Sequence, residues 1–158
     1  MIHKKPERIA TITLDETSMK KRSKEAQHER DVAIADLLDE NCFEPKCMNS
    51  GPYDVHLGIE DGKLILGVHS PQEEKYSKVI LSVAPLRGII RDYFIIFDSY
   101  QAAISSGNPS KIEAIDMGRR GVHNEGSERL QDILKDRIVV DFPTARRLFT
   151  LICVLHIK

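Results

Sequence analysis

Alternation of hydrophobic and polar residues predicts β-strands in the N-terminal half of the chain. Residues 8–14 alternate and predict one short strand. Residues 53–69 alternate on both sides of Asp61-Gly62, a dipeptide preferred in type I′ turns, and therefore predict a hairpin. Because a two-residue loop sets the register, one face of this hairpin should be hydrophobic throughout. The predicted pairs are Glu60 with Lys63, Ile59 with Leu64, Leu57 with Leu66 and Val55 with Val68. Residues 78–83 predict a further strand.

A helical period of hydrophobic residues takes over elsewhere. Residues 23–41 predict an amphipathic helix, and residues 42–52, with two prolines and a glycine, predict an irregular linker. From Pro85 the hydrophobic residues follow one stripe of a long helix, for which Gly107 is a suitable left-handed stop. The Asn-Pro pair that opens residues 108–117 predicts a further helix after a tight corner.

The C-terminal quarter of the chain predicts two more helices and a short strand. Asn124 or Ser127 is suited to cap a helix that runs to about Lys135. Residues 138–140 are hydrophobic and suggest a strand. The final helix begins at Asp141, where a carboxylate cap precedes a proline in the first turn. Since this helix is hydrophobic around most of its circumference, we expect it to be the central buried helix.

The order of these elements predicts an α+β fold. A small antiparallel sheet (strand, helix, hairpin, strand) precedes a helical C-terminal half. A chain of 158 residues with 41% hydrophobic and 30% charged residues suits a single folded domain covering residues 1–158. The formal net charge of −1 provides no long-range attraction to nucleic acid or to an anionic membrane, so such binding would need a local patch.

The sequence also predicts a cytoplasmic protein without a membrane partner. Its first eight residues are charged and lack the hydrophobic stretch of a secretory signal. The longest hydrophobic run, residues 148–157, is about half the length of a bilayer span. Cys42, Cys47 and Cys153 make an odd number and form no dense framework, which suits reduced thiols. Neither these cysteines nor any other motif forms a metal set with finger-like spacing, so we expect no metal or cofactor.

The densest cluster of chemically active residues is segment 115–128. It holds three glycines, two arginines, a histidine, an asparagine and three carboxylates, and we expect it to connect two helices. Adjacent arginines offer forked donors to phosphate or carboxylate, and a helix that begins nearby exposes N–H groups to an anion. The candidate ligand-binding residues are Arg119, Arg120, His123, Asn124 and Glu125, joined by Arg146 and Arg147 if the final helix lines the same cavity.

A purely structural interpretation of this segment is equally open. The glycines would shape the connection between helices. The charges would form ion pairs at helical spacing, Asp116 with Arg120 and Glu125 with Arg129. Such pairs contribute only about 0.2 to 0.5 kcal/mol each, but they account for the charges without a ligand.

Two other functions remain as alternatives. The run Gly118-Arg-Arg-Gly121 is similar to the G-x-x-G loop with which K-homology domains hold an RNA backbone. A hydrolase would instead use His123 with Glu125 and with Asp116 or Glu128, as a general base and further carboxylates. The H-x-E spacing of zinc deaminases also occurs at His123, but the P-C-x-x-C motif of those enzymes is absent downstream.

The chain resembles an uncharacterised bacterial protein family of about this length. The resemblance is carried by residues 117–126, which read M-G-R-R-G-V-H-N-E-G, and by residues 141–151, which read D-F-P-T-A-R-R-L-F-T-L. It extends to the hairpin and to residues 92–100. That family has no established activity, cofactor or catalytic residue, so the resemblance implies no function. The leading hypothesis is a non-enzymatic binding or adaptor protein with an anion-binding cleft around Arg119 and Arg120.

Overall fold

A computed structural model describes residues 5–16 and 23–156. The first four residues of the charged N-terminal segment and Ile157, the last residue of the C-terminal hydrophobic run, lie outside the described residues. A short 3-10 helix at Ala84–Leu86 precedes the second α-helix. The elements are β1 (Ile9–Leu14), α1 (Lys24–Asp39), β2 (Phe43–Pro45), β3 (Tyr53–Glu60), β4 (Lys63–Ser70), β5 (Lys75–Ser82), α2 (Arg87–Ser106), α3 (Pro109–Leu134), β6 (Ile138–Val140) and α4 (Phe142–Leu155). The fold is α+β with a helical C-terminal half, as the sequence predicts.

The main sheet has the strand order β1-β3-β4-β5. The hairpin of β3 and β4 has the predicted register, with Glu60 opposite Lys63 and Leu57 opposite Leu66. Asp61 and Gly62 both have positive φ angles, 51° and 72°, as a type I′ turn requires.

The predicted antiparallel pairing holds for β3, β4 and β5 and is wrong for β1, which runs parallel to β3 and pairs Leu14 with Leu57. The chain leaves the end of β1, returns through α1 and re-enters the sheet in the same direction. A crossover through a helix joins parallel strands, whereas a tight turn joins antiparallel ones. The four-stranded sheet is therefore mixed.

Residues 42–52 are not an irregular linker throughout. β2 pairs antiparallel with β6, and Phe43 lies opposite Val140. Phe43 is completely buried, and β6 occupies the residues for which the sequence predicts a strand. The partner of β2 lies at the far end of the chain, so no local pattern in the sequence could indicate this three-residue strand.

The predicted connection at residues 118–128 does not exist, because α3 is one continuous helix of 26 residues. It begins at the predicted cap Asn108, whose side chain accepts from the backbone N–H of Lys111. Glycine in a helix interior costs about 1 kcal/mol relative to alanine. Packing offsets this cost at Gly126, where an added Cβ would lie 2.5 Å from two ring carbons of Phe149. The helices predicted before and after the segment are therefore parts of the same helix.

α4 lies at the centre of the helical half and contacts α1, α3 and β3. Asp141 caps it by accepting from the backbone N–H of Thr144 at 3.0 Å, as predicted. Its buried residues join one hydrophobic cluster to which all six strands contribute. In the part of the chain that the structure describes, no helix combines the length and hydrophobicity needed to span a membrane. The inward faces of α1, α3 and α4 meet beside α2, and the candidate site lies there.

Candidate anion-binding site

Helical spacing brings polar side chains of four helices into one cluster. On α1, Glu29 lies on the same stripe as the buried residues Ala26 and Ala33. On α3, Arg119 and His123 are four residues apart and therefore share a face. The same spacing holds for Arg146 and Thr150 on α4, and Tyr93 contributes its hydroxyl from α2. Each of the four helices therefore carries polar residues on its inward, otherwise hydrophobic face, and these polar residues lie close together in the fold.

Glu29 is held by two donors. Tyr93 donates its hydroxyl to Oε2 at 2.9 Å, and Arg119 donates from Nη2 to Oε1 at 3.2 Å. The Glu29 side chain is only 14% exposed. Burial and the neighbouring Glu29 carboxylate raise the pKa of Tyr93 above its ordinary range, so the phenol keeps its proton. The guanidinium of Arg119 also lies 5.0 Å from the ring centre of Tyr100.

His123 is buried as a neutral ring. It is 3% exposed and meets the rings of Tyr93 and Phe149 edge-on, with centres 5.6 and 6.2 Å apart. Burial, with smaller contributions from Arg146 and Arg119, lowers the pKa of His123 to about 4. Its Nε2 lies 4.0 Å from Oε1 of Glu29, but a neutral ring forms no ion pair there. Among the described residues Nε2 has no hydrogen-bond partner.

Arg146 is the unpaired cation of the cluster. It is partly buried, and its guanidinium forms no hydrogen bond or ion pair with any residue that the structure describes. Burial first, and then the positive charges of Arg147 and Arg119, lower its pKa. Arg147 donates to the carbonyl oxygen of Pro143 at 3.2 Å and lies 4.0 Å from a carboxylate oxygen of Asp36. Arg119 and Arg147 therefore have carboxylate neighbours, and Arg146 has none within 4.0 Å among the residues that the structure describes.

These residues surround a cavity of about 90 Å³ between α1, α3 and α4. This volume suits a few water molecules or one small polyatomic anion, and it is well below that of pockets for drug-sized ligands. Its lining consists of Glu29, Val32, Ala33, Asp36, Arg119, His123, Arg146, Arg147 and Thr150. Three arginines against two carboxylates, with the histidine neutral, leave a net charge of +1. A larger groove of about 440 Å³ between α1 and α2 shares Glu29 and Arg119 with the cavity.

Comparison with known proteins connects this fold to a family. The model of an uncharacterised protein family, UPF0262, matches residues 6–158. The UPF0262 protein of Azorhizobium caulinodans is 50% identical over 158 residues, which cover 97% of this chain and 96% of the relative. A UPF0262 protein of Brucella suis is 51% identical over 150 residues, covering 94% of this chain and 93% of the relative.

The chain belongs to the UPF0262 family. This membership confirms the resemblance to an uncharacterised bacterial family, and it assigns no function. No solved structure matches the chain. The site of this family member therefore has to be interpreted from its own geometry.

The structure brings four of the seven candidate residues together and separates the other three. Arg119, His123, Arg146 and Arg147 all line the cavity. The side chain of Arg120 is 70% exposed and pairs with Asp116 at 2.7 Å, which the structural interpretation predicts. Asn124 and Glu125 are exposed on the outward side of α3. Because successive helical residues turn by about 100°, neighbours of an inward residue point away from the core.

Three residues of the cluster, Glu29, Tyr93 and Thr150, were missed by sequence reasoning. Glu29 and Thr150 lie on α1 and α4, far along the chain from the glycine-rich segment. A signal was present, since each is a polar residue at helical spacing on a hydrophobic stripe. Thr150 follows Arg146 by four residues, and Glu29 precedes Ala33 by four.

The alternative sites lose their geometric basis. Gly118-Arg-Arg-Gly121 lies inside α3 and is not a loop, so it lacks the shape of a K-homology clamp. Glu125 and Glu128 are exposed, whereas His123 is buried, so the predicted hydrolase residues do not converge. Glu125 also forms no ion pair with Arg129 among the described residues. Within residues 5–16 and 23–156, no group of three histidine, cysteine or acidic residues is arranged to hold a metal ion.

Proposed function

We propose that this protein binds a small anion, a carboxylate or a phosphate, in the cavity between α1, α3 and α4. The observation that carries the proposal is the unpaired guanidinium of Arg146 beside Arg119 and Arg147. A partly buried charge without a partner is costly, and an anion with hydrogen-bond acceptors offsets that cost. A planar guanidinium is suited to hold two oxygens of a carboxylate or phosphate at once.

The other charges of the cavity support this assignment. Glu29 already accepts hydrogen bonds from Arg119 and Tyr93, and Asp36 faces Arg147. Each of these carboxylates therefore has a positive neighbour within 4.0 Å, and the surplus charge belongs to Arg146. An anion bound to Arg146 makes the lining electrically neutral.

Binding without catalysis is the activity that the site favours. A general base is most effective when its pKa lies near the working pH, and the pKa of His123 is lowered to about 4. We therefore propose a cytoplasmic binding or adaptor protein in preference to a hydrolase. The three cysteines are free thiols, in keeping with a reducing compartment.

A thermal-shift screen with phosphate, sulfate, acetate and lactate tests the proposal. At an anion concentration about 100 times the dissociation constant, binding stabilises the folded state by about 2.7 kcal/mol. We expect at least one anion to raise the melting temperature of the wild type. Arg146→Met, which keeps an unbranched apolar stem but removes the guanidinium and its charge, should lose this shift. Arg120→Met removes the same positive charge outside the cavity and should keep the shift in melting temperature. Equal shifts for wild type and Arg146→Met, or no shift with any anion, would overturn the proposal.

A further inference from the structure

The groove between α1 and α2 continues the cavity along α1. The α1 residues that line the cavity are Glu29, Val32, Ala33 and Asp36, and those that line the groove are Lys24, Glu25, His28 and Glu29. Because these positions follow one another at spacings of three and four residues, they form a single face of the helix. Glu29 and Arg119 belong to both linings, so the groove begins where the cavity ends. The side chain of Arg119 is 33% exposed, so solvent reaches this junction.

The cavity and the groove differ in charge. The lining of the cavity has a net charge of +1. The described lining of the groove holds two positive residues, Lys24 and Arg119, and two carboxylates, Glu25 and Glu29, and is therefore balanced when His28 is counted as neutral. A negative group is thus stabilised in the cavity, and the groove has no excess charge that would attract one.

The α2 wall of the groove is hydrophobic. Phe97, Tyr100 and Ile104 lie on it at helical spacing, and Ile104 is 47% exposed although it lines a concave surface. The volume of the groove, about 440 Å³, lies within the range of pockets for small organic ligands, whereas the volume of the cavity lies below it. The groove therefore offers hydrophobic contact area to a neutral group that is too large for the cavity.

We infer that the ligand is an amphipathic organic anion, whose carboxylate or phosphate binds at Arg146 while its neutral, hydrophobic body lies in the groove against Tyr100 and Ile104. The inference rests on the proposed anion-binding function and adds the chemical class of the ligand. Simple anions fill only the cavity. Residues 25 to 33 of α1 span about 12 Å at 1.5 Å per residue, and this length sets the reach that a ligand of both parts needs.

Isothermal titration calorimetry with matched pairs of anions tests the inference. Butyrate and 4-phenylbutyrate share a carboxylate, and propyl phosphate and 3-phenylpropyl phosphate share a phosphate monoester. Removal of about 60 Å² of the phenyl ring from water corresponds to a gain of about tenfold in affinity. We expect the phenyl-bearing member of at least one pair to bind more tightly than its partner by about this factor. The pair that binds more tightly identifies the charged group that the cavity prefers.

Variants of α2 locate the phenyl ring in the groove. Ile104→Glu places a carboxylate, which requires water, where the ring would lie, and should reduce the affinity ratio within each pair to about one. Ile95→Glu makes the same change on the same helix, at a residue that is 57% exposed and lies outside the groove, and should leave the ratio unchanged. Arg146→Met should weaken the binding of both members of each pair, because they share the charged group.

Contacts of the bound ring in the wild type provide a readout that needs no variant. In protein with labelled isoleucine methyl groups, the phenyl ring of the bound anion should show nuclear Overhauser effects to the δ1 methyl group of Ile104. It should show none to that of Ile95, which does not line the groove. This readout decides the question if Ile104→Glu fails to fold.

The outcomes separate the two proposals. Equal affinities within both pairs, with binding that Arg146→Met abolishes, would overturn the inference and leave anion binding at Arg146 intact. A preference for the ring that survives in a folded Ile104→Glu variant, or ring contacts away from Ile104, would contradict the inference. Phenyl-bearing anions that bind Arg146→Met as tightly as the wild type would show that one ligand does not join the two parts, and would also contradict it. A titration in which none of the four anions binds would overturn both proposals.

Discussion

Replacing glycines of α3 by alanine tests whether residues 118–128 form a helix packed on the core. Gly121 and Gly126 are five residues apart on the same helix. An added Cβ at Gly121 meets no atom within 4 Å. At Gly126 it would lie 2.5 Å from Cε1 and Cε2 of Phe149, a side chain with no exposed surface. Alanine at position 121 would therefore contact no neighbouring atom, whereas alanine at position 126 would clash with the core.

The two changes should have opposite effects on stability. Alanine is favoured over glycine in a helix interior by about 0.8 to 1 kcal/mol, so Gly121→Ala should stabilise the protein by about this amount. At Gly126 the same gain is opposed by overpacking, which costs about 1 to 3 kcal/mol. Phe149 cannot easily move, because Tyr93 and His123 lie against its ring with centres 6.4 and 6.2 Å away. A contact of 2.5 Å with this ring places the cost at about 2 to 3 kcal/mol, the upper part of that range. After subtraction of the helix gain of about 1 kcal/mol, we expect Gly126→Ala to destabilise the protein by about 1 to 2 kcal/mol.

Urea unfolding followed by circular dichroism measures both effects, and an unchanged slope shows that only stability differs. For a chain of this size, 1 kcal/mol corresponds to a shift of about 2 to 4 °C in melting temperature. The melting temperatures of the two variants should therefore move in opposite directions. If Gly126→Ala is as stable as the wild type, the close packing of α3 on Phe149 is wrong. If Gly121→Ala is strongly destabilising, the segment is not a regular helix at that point.

Three further predictions concern the buried polar and thiol groups. Because folding lowers the pKa of His123 from 6.5 to about 4, the unfolded chain binds its proton first as the pH falls. The contribution of His123 to stability is thus complete above pH 6.5 and decreases below it, by about 2 kcal/mol at pH 5. In urea unfolding, His123→Phe should therefore lose less of its free energy of unfolding than the wild type as the pH falls. Tyr93→Phe removes a hydrogen bond to a buried carboxylate and should cost about 1.5 to 3 kcal/mol, whereas Tyr76→Phe, at an exposed position, should change stability by less than about 0.5 kcal/mol. Burial raises the pKa of Cys153, so mass spectrometry after brief alkylation of the folded protein should find Cys47 modified and Cys153 unmodified; early modification of Cys153 would contradict its burial.

Local signals in the sequence were sufficient where one short segment decides the geometry. Asp61-Gly62 fixes the turn of the hairpin, and the turn fixes the register of every pair behind it. Asn108 and Asp141 cap helices because their side chains accept from backbone N–H groups three residues later. Gly107 ends α2 with a φ of 69°. Each of these features depends on residues that are close together in the chain.

The remainder of the fold depends on contacts between distant segments. β2 exists because Phe43 and its neighbours pair with β6, and β1 is parallel to β3 because α1 crosses over between them. The error at α3 has the same origin. Glycines usually interrupt a helix, but Gly126 is required where α3 approaches Phe149. No property of residues 118–128 alone reveals that approach.

At the candidate site, too, some features follow from local sequence and others from contacts between distant segments. The sequence singled out arginines and a histidine of suitable chemistry, and helical spacing determines which of them face inward. Arg119 and His123 line the cavity, whereas Arg120 and Asn124 do not. Glu29 could not be assigned to the cluster before the packing of α1 against α4 was known. The kind of chemistry, binding of an anion by arginines, was therefore predictable from residue type, whereas the set of residues that line the cavity was not.

Side-chain NMR of arginine tests the central claim, anion binding at Arg146, most directly. In protein labelled with ¹⁵N-arginine, titration with phosphate or lactate should shift the Nε–H resonance of Arg146 along a saturable curve. Arg119 and Arg147 should follow with the same dissociation constant, and the exposed Arg120 should not respond. Saturable shifts at Arg146 without shifts at Arg120 are the result that this account predicts. Equal, non-saturating shifts at Arg120 and Arg146, or no shift at Arg146 with either anion, would contradict it.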